Sequence, residues 1–258
     1  MKNYRIATII ECRMGSSRLP GKVLLPILNK PALLLLVERI KKITPSTKII
    51  LATTTNKKDD KIVNFAKKNK IEFFRGSEKN VFKRVIDAAK YFDVDIINSV
   101  CGDCILLDPK LVSYALKKFL KLNIKNQVDI LTYDKLPHGF DCTIVNAKKL
   151  DESYNLTSSN YDRDNPTFCM RRYPKKFNKF HLLAPKKYHN NDLSLALDFW
   201  EDYMLISIIY SNLYLKDKYF SLYKILKFLK KNRYLFKINK NLKRNFYPEI
   251  SWWKNEKN

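Results

Sequence analysis

Between residues 11 and 31 the chain reads ECRMGSSRLPGKVLLPILNKP, which sets Arg13, Arg18 and Lys22 around Gly15, Ser16, Ser17 and Gly21. Three cations among small residues suit an anion. Backbone N–H groups of such a loop can cradle phosphate oxygens while the side chains offset their charge. The spacing fits neither of two familiar phosphate motifs. GxxxxGK[ST] fails because Gly15 and Gly21 are one residue too far apart and Val23 follows Lys22, and GxGxxG is not formed. On these residues alone, a phosphate loop and a solvated basic turn both stay open.

A second constellation is Cys101-Gly102-Asp103-Cys104. Asp103, beside a glycine after an apolar run, is placed to hold Mg²⁺, which takes one or two carboxylates together with substrate phosphates and water. Cys101 and Cys104 make a CxxC, but one pair without a second is a weak zinc or redox signal. The five cysteines, odd in number and irregular in spacing, read as reduced thiols. Asp198 ends LSLALD just ahead of a helical stretch, where a carboxylate can ligate metal or simply cap the helix. Of the three histidines, His181 and His189 read as surface residues.

The elements that must position these groups are legible in the periodicity. RIATII (5–10), KIILAT (48–53), IEFF (71–74), DIINSV (95–100) and VDILT (128–132) read as strands. Helical stretches at 31–43, 59–70, 81–92 and 108–120 lie between them. That alternation predicts βαβ units and a largely parallel sheet, whose ligands bind beyond the carboxyl ends of the strands. Residues 141–190 are less regular, with strand candidates at 141–146 and 179–184. A strand at 193–198 and helices at 200–214 and 221–231 follow. Glycine is scarce, and its placement in the loops after strands suggests one shared ligand rim. With no repeat or low-complexity linker, the expectation is one domain over 1–240, its last helices at about 200–232, and a basic tail at 241–258.

The formal charge is +25, and residues 211–258 carry 13 Lys or Arg against three acids. Such a balance suits phosphate-rich ligands, nucleic acid or an anionic membrane surface. Lysine far outnumbers arginine and no RGG, zinc-finger or RNP-type motif is present, so no specific nucleic-acid partner is expected. The amphipathic SLYKILKFLKK, with Leu222, Ile225, Leu226 and Leu229 on one face, reads as a helix packed on the core rather than a peripheral membrane contact. No apolar run approaches the ~18–20 residues of a membrane span. MKNYRIATII is followed by ECR rather than a small-residue cleavage site, so a cytoplasmic protein is expected.

Taken together, IIECRMGSSRLPGKVLLPI, ILATTTNKKDDKIV, FFRGSEKNVFKRV, GDCILLDP and LALDFWEDYMLI follow the order and spacing of the cytidylyltransferase family. The chain most resembles its spore-coat-polysaccharide, SpsF-like branch, a resemblance that runs from about residue 5 to about 240. The resemblance implies an α/β fold of the GT-A-like nucleotidyltransferase type, a Rossmann-like, mostly parallel sheet flanked by helices. It implies an Mg²⁺-dependent enzyme that joins CTP to a sugar acid or a phosphorylated sugar or polyol, releasing pyrophosphate for surface polysaccharide or glycan synthesis. A homodimer is expected by the same analogy. Carried onto this chain, Arg13 and Lys22 are the catalytic cations on the CTP phosphates. Met14, Gly15, Ser16, Ser17, Arg18, Gly21 and Gly102 contact the nucleotide, with Arg75, Gly76 and Ser77 near its base or ribose. Asp103 and Asp198 are the metal carboxylates.

Three segments depart from the pattern. His138-Gly139-Phe140-Asp141 stands where relatives read DGLD, and Asp162-Arg163-Asp164-Asn165 where they read a DREH-like segment. Leu197-Asp198-Phe199-Trp200-Glu201-Asp202 stands where they read LDTPED. By the resemblance, these segments lie where the family tends to handle acceptor or shape the site, which makes His138, Asp141 and Arg163 substrate candidates and leaves acceptor identity open. Two rival readings are a GT-A glycosyltransferase using a finished nucleotide sugar and a nucleotide-binding relative without catalysis. The first needs a DxD after a strand, whereas Asp93-Val94-Asp95 precedes one.

Overall fold

The computed structural model describes residues 4–45, 47–125, 127–140, 142–190 and 193–244. Asp141 and residues 245–258 of the basic tail lie outside the described residues. Alternation sets the architecture: in β1 (Ile6–Glu11) Ala7 and Ile9 face one apolar layer and Ile10 the other, all fully buried. A strand buried on both faces belongs in a sheet covered by helices on both sides.

After β1 come the short hairpin β2 (Pro26–Ile27) and β3 (Lys30–Pro31), then α1 (Ala32–Ile40), β4 (Lys48–Thr54), α2 (Asp60–Lys68), β5 (Glu72–Gly76) and α3 (Val81–Tyr91). β6 (Ile96–Cys101), α4 (Pro109–Asn123), β7 (Ile130–Asp134) and β8 (Thr143–Asn146) follow. The last third holds α5 (Ala147–Tyr154), α6 (Asn160–Asp164), α7 (Phe168–Arg172), β9 (Lys179–Leu183), α8 (Trp200–Leu213) and α9 (Leu222–Lys231). The sheet runs β5-β4-β1-β6-β8-β7-β9. β5, β4, β1 and β6 are parallel, β8 is antiparallel to both of its neighbours, and β9 is parallel to β7. Helices α1, α2, α4, α8 and α9 cover one face, and α3, α5 and α7 the other. This is the mostly parallel α/β fold expected of a nucleotidyltransferase, with β8 as the antiparallel insertion.

From β1 the chain steps outward to β4 and β5, then returns to β6 on the far side of β1. The strand order therefore reverses between β1 and β6, and a crevice opens at their carboxyl ends.

The expected helices at 200–214 and 221–231 form, and the apolar face of α9 is buried: Leu222, Ile225 and Leu229 sit in the core. Among the described residues no helix is long and apolar enough to cross a membrane. Two expectations change. LSLALD is not a strand; Ser194 makes only an isolated bridge to His138. Its backbone instead crosses the strand ends, with Leu195 N–H donating to His138 O at 2.8 Å and Leu197 N–H to Asp103 O at 3.0 Å. Gly139 makes that crossing fit, because its φ of +94° is left-handed and a Cβ there would lie 2.5 Å from Ala196 N. The glycines thus do not form one ligand rim: Gly139 packs on the crossing segment, and a Cβ at Gly76 would press on Arg84 Cγ at 2.9 Å. Helices α5, α6 and α7 also went unforeseen. Two of them are five residues long, too short to show a helical period.

Candidate active site

β1 and β6 end side by side, Glu11 in register with Cys101. The loops leaving them build the floor of the crevice. In the first loop Met14 O accepts the N–H groups of Ser16 and Gly21, both at 3.0 Å, and Gly21 turns at φ 70°. That left-handed turn favours glycine. Met14 N–H in turn donates to Asp59 Oδ1 at 2.7 Å, and the other oxygen of Asp59 takes the Thr54 N–H at 3.2 Å and the Thr54 hydroxyl. Buried Asp59 therefore ties the loop to the end of β4, while buried Leu19 anchors its far side. What remains faces a cavity of about 230 Å³ lined by Arg13, Ser16, Ser17, Arg18, Lys22, Arg84, Gly102 and Asp103, among others.

Lys22 is the electrostatic centre. Its Nζ lies 2.6 Å from Asp103 Oδ2 and 2.8 Å from Asp198 Oδ1, and Arg18 Nη2 reaches the same Asp198 oxygen at 2.9 Å. Burial works against the Lys22 charge, but the two carboxylates outweigh it and hold the ammonium above its ordinary pKa. Burial likewise works against the Asp103 charge, and Lys22 overrides it to leave that carboxyl below its usual range. Lys22 is therefore charged at neutral pH, with Asp103 ionised beside it.

A second cavity, of about 350 Å³, adjoins the first and shares Glu11, Arg18, Lys22, Cys101, Asp103 and Asp164 with it. Its further walls include Ser99, Thr143, Thr167 and Arg171, with His138 and Arg244. Burial pushes the Glu11 carboxyl up to about 7 against the hydrogen bond it accepts from Ser99 Oγ at 2.9 Å. Arg171 donates to Thr143 Oγ1 at 3.1 Å and lies over the Phe168 ring, its Cζ 4.9 Å from the centroid. His138 Nδ1 pairs with Ser194 Oγ at 2.9 Å.

The structure brings Arg13, Ser16, Ser17, Arg18, Lys22, Gly102, Asp103, Asp198 and His138 to this double cleft; Met14, Gly15 and Gly21 shape the loop itself. It places Arg75 elsewhere: Nε donates to Thr54 O and Nη2 to Asn56 O, both at 2.9 Å, and the side chain pairs with Asp60. Ser77 Oγ accepts the Asn80 N–H at 3.1 Å, a local turn contact. Neither Arg75, Gly76 and Ser77 nor Arg163 is among the lining residues of the two cavities; next to Arg163, Asp164 and Asn165 line the larger one. His181, expected at the surface, is half-buried on β9 with Nδ1 2.9 Å from Thr132 Oγ1.

Sequence reading missed Glu11, Asp59, Arg84, Arg171 and Arg244. Glu11 was the most accessible of these, since it ends the strand that feeds the loop and carries a charge after five apolar or small residues.

Among the described residues no group of three or more His, Cys, Asp or Glu side chains converges to hold a metal ion. Asp103 and Asp198 nonetheless converge on one cation, the Lys22 ammonium. Two hard carboxylates suit Mg²⁺ when substrate phosphates supply further oxygens.

Known proteins share this arrangement of strands and loops. The family model described as cytidylyltransferase matches residues 7–242. An uncharacterized protein of Methanocaldococcus jannaschii is 30% identical over 252 residues, 95% of this chain and 99% of its own length. The spore coat polysaccharide biosynthesis protein SpsF of Bacillus subtilis is 29% identical over 210 residues, 80% of this chain and 86% of its own. The structure of a cytidylyltransferase from Leptospira borgpetersenii superposes with a TM-score of 0.83 at 29% identity, covering 94% of this chain and 99% of that one. With the match spanning strand, loop, cleft and closing helices alike, the chain belongs to the cytidylyltransferase family.

Proposed function

We propose that this enzyme transfers the cytidylyl group of CTP to a sugar acid or a phosphorylated sugar or polyol, with Mg²⁺, in the synthesis of a surface polysaccharide or other glycan. The observation that carries the reading is Lys22, an ammonium fixed between Asp103 and Asp198 where the glycine-bearing loop meets the larger cavity. Membership of the cytidylyltransferase family supports CTP-using nucleotidyl transfer for glycan synthesis, and two adjoining cavities line the cleft.

In this reading the triphosphate lies along Arg13, Arg18 and Lys22. An acceptor oxygen attacks the α-phosphorus in line, the bond from that phosphorus to the bridging oxygen breaks, and negative charge gathers on pyrophosphate. Lys22 and Arg13 supply positive charge beside the leaving group, Lys22 exchanging its contacts with Asp103 and Asp198 for phosphate oxygens once the carboxylates hold Mg²⁺. Asp103 and Asp198 would hold Mg²⁺, which when bound supplies further positive charge to the phosphates. Arg171 and His138 face an acceptor's anionic group, while Glu11, Ser99 and Asn165 can take its hydroxyls. The glycosyltransferase reading lacks support: Asp93 and Asp95 precede β6, at the end of the strand away from the cleft, and both are paired with Arg5.

The test is pyrophosphate release from CTP, UTP, ATP and GTP with Mg²⁺ against a panel of sugar acids and sugar phosphates. Release that needs both CTP and an acceptor is expected. Failure of the protein to bind CTP would sink the proposal.

A further inference from the structure

The C-terminal part of the chain returns to the cleft. Arg244, two residues beyond the family match, lines the larger cavity with its side chain almost wholly buried. Its guanidinium forks onto both oxygens of Asp202, Nη1 to Oδ2 at 3.0 Å and Nη2 to Oδ1. Asp202 is fully buried, and the amide of Asn239 also donates to its Oδ1 at 2.7 Å. The remaining capacity of Asp202 points at the site: Oδ2 accepts the backbone N–H groups of Asp198 at 3.2 Å and Phe199 at 3.0 Å.

A second route joins the same residues. The Phe199 ring lies near two guanidinium groups, 5.0 Å from the Arg18 Cζ and 5.5 Å from the Arg244 Cζ. Arg18 is the cation that, with Lys22, holds the Asp198 carboxylate. Asp198 is thus held from behind through its own backbone and from in front through its side chain, and Arg244 touches both arrangements. The departure Phe199-Trp200 from the family's usual residues gains a role here, because a flat ring at 199 can stack on guanidinium planes.

We propose that Arg244 is a positioning residue of the transferase: through Asp202 and the Phe199 ring it fixes where Asp198 stands in the cleft. The proposal rests on the cytidylyltransferase reading for its kinetic consequence, though its structural part stands alone. Arginine is required rather than a generic cation. Its planar fork satisfies both carboxylate oxygens while one face remains over the ring, whereas a lysine ammonium offers a point charge.

Two substitutions test this on the full-length protein. Arg244→Lys keeps the charge opposite buried Asp202 and so guards against simple unfolding, and Phe199→Leu keeps the bulk and removes the ring. The first readout is amide hydrogen exchange, measured without nucleotide. In Arg244→Lys the N–H groups of Asp198 and Phe199 are expected to exchange about tenfold faster, while amides of β1 and β4 stay as protected as in the parent. The second readout is steady-state kinetics. A displaced Asp198 is expected to lower kcat about tenfold in both variants with the KM for CTP within twofold, since small displacements in a catalytic array cost that much or more. A purely structural Arg244 would instead lower the melting temperature and speed exchange throughout, with kcat per folded molecule unchanged. Unchanged protection at 198–199, or unchanged kcat in a folded variant, overturns the proposal. A parent protein that never turns over CTP defeats the transferase reading instead, and the exchange experiment still decides the positioning role.

Discussion

The two ends of the cleft are built on opposite principles. The end proposed to bind phosphate draws Arg13, Ser16, Ser17, Arg18 and Lys22 from one ten-residue loop, held by the turn at Gly21 and by anchors at Asp59 and Leu19. The end proposed to take the acceptor draws Glu11 from β1, His138 from the turn after β7, Arg171 from α7 and Arg244 from beyond α9. The first depends on local backbone geometry. The second depends on four distant segments arriving together, so it can change one residue at a time while the first is left alone.

The division predicts effects of different kinds at the two ends. The largest is at Lys22. On the proposed mechanism Lys22→Ala removes a charge that meets the leaving pyrophosphate, and kcat/KM is expected to fall ~10²–10³-fold, equivalent to ~3–4 kcal/mol of barrier. Continuous pyrophosphate detection would check it, and a loss under tenfold would break the assignment of the phosphate end. Next in size is Arg171→Ala. The KM for the acceptor is expected to rise ~10–100-fold, the ~1.5–3 kcal/mol of a hydrogen bond to a charged group, with the KM for CTP within twofold. An equal rise in both would mean that the two ends are not separable.

The smallest effect concerns Glu11, which borders both cavities. Burial raises its carboxyl from 4.5 in the reference state to about 7. The folded chain therefore binds this proton more tightly than the unfolded one, so Glu11 makes stability fall as pH rises from 4.5 through 7. Glu11→Gln removes that dependence. Relative to the parent, the variant is expected to gain ~1–2 kcal/mol between pH 5 and pH 8, allowing for the residual solvent contact of a mostly buried group. Urea denaturation at the two pH values measures the difference, and the sign sharpens where in the cleft burial is strongest.

The same contrast explains what could be read from the residues in order. The parallel half, β1, β4, β5 and β6, was legible because each strand is a short apolar run followed by a helical period. The phosphate loop was legible because its chemistry is contiguous. Residues 141–190 resisted, since β8 is four residues long and α6 and α7 are five each, below the length at which a period repeats. LSLALD alternates like a strand, yet Leu193, Leu195 and Leu197 are buried by crossing the strand ends, which alternation cannot distinguish from pairing in a sheet. Arg171 and Arg244 could not be told from other cations in a chain with 50 Lys and Arg. Arg75 is the complementary case: beside a glycine after a predicted strand it looks poised for a ligand, and the structure shows it held by two backbone carbonyls and Asp60.

The pairing of Lys22 with Asp198 spans 176 residues of sequence. At a synthesis rate of ~5–20 residues per second, roughly 9–35 s separate the making of the two partners. Asp103 appears about midway, so the nascent chain has a cationic loop and one carboxylate in hand well before the second is made. The cleft is therefore finished from its far end. Its charge balance closes only when the segment that crosses the strand ends has been translated and laid over a sheet whose strands already exist.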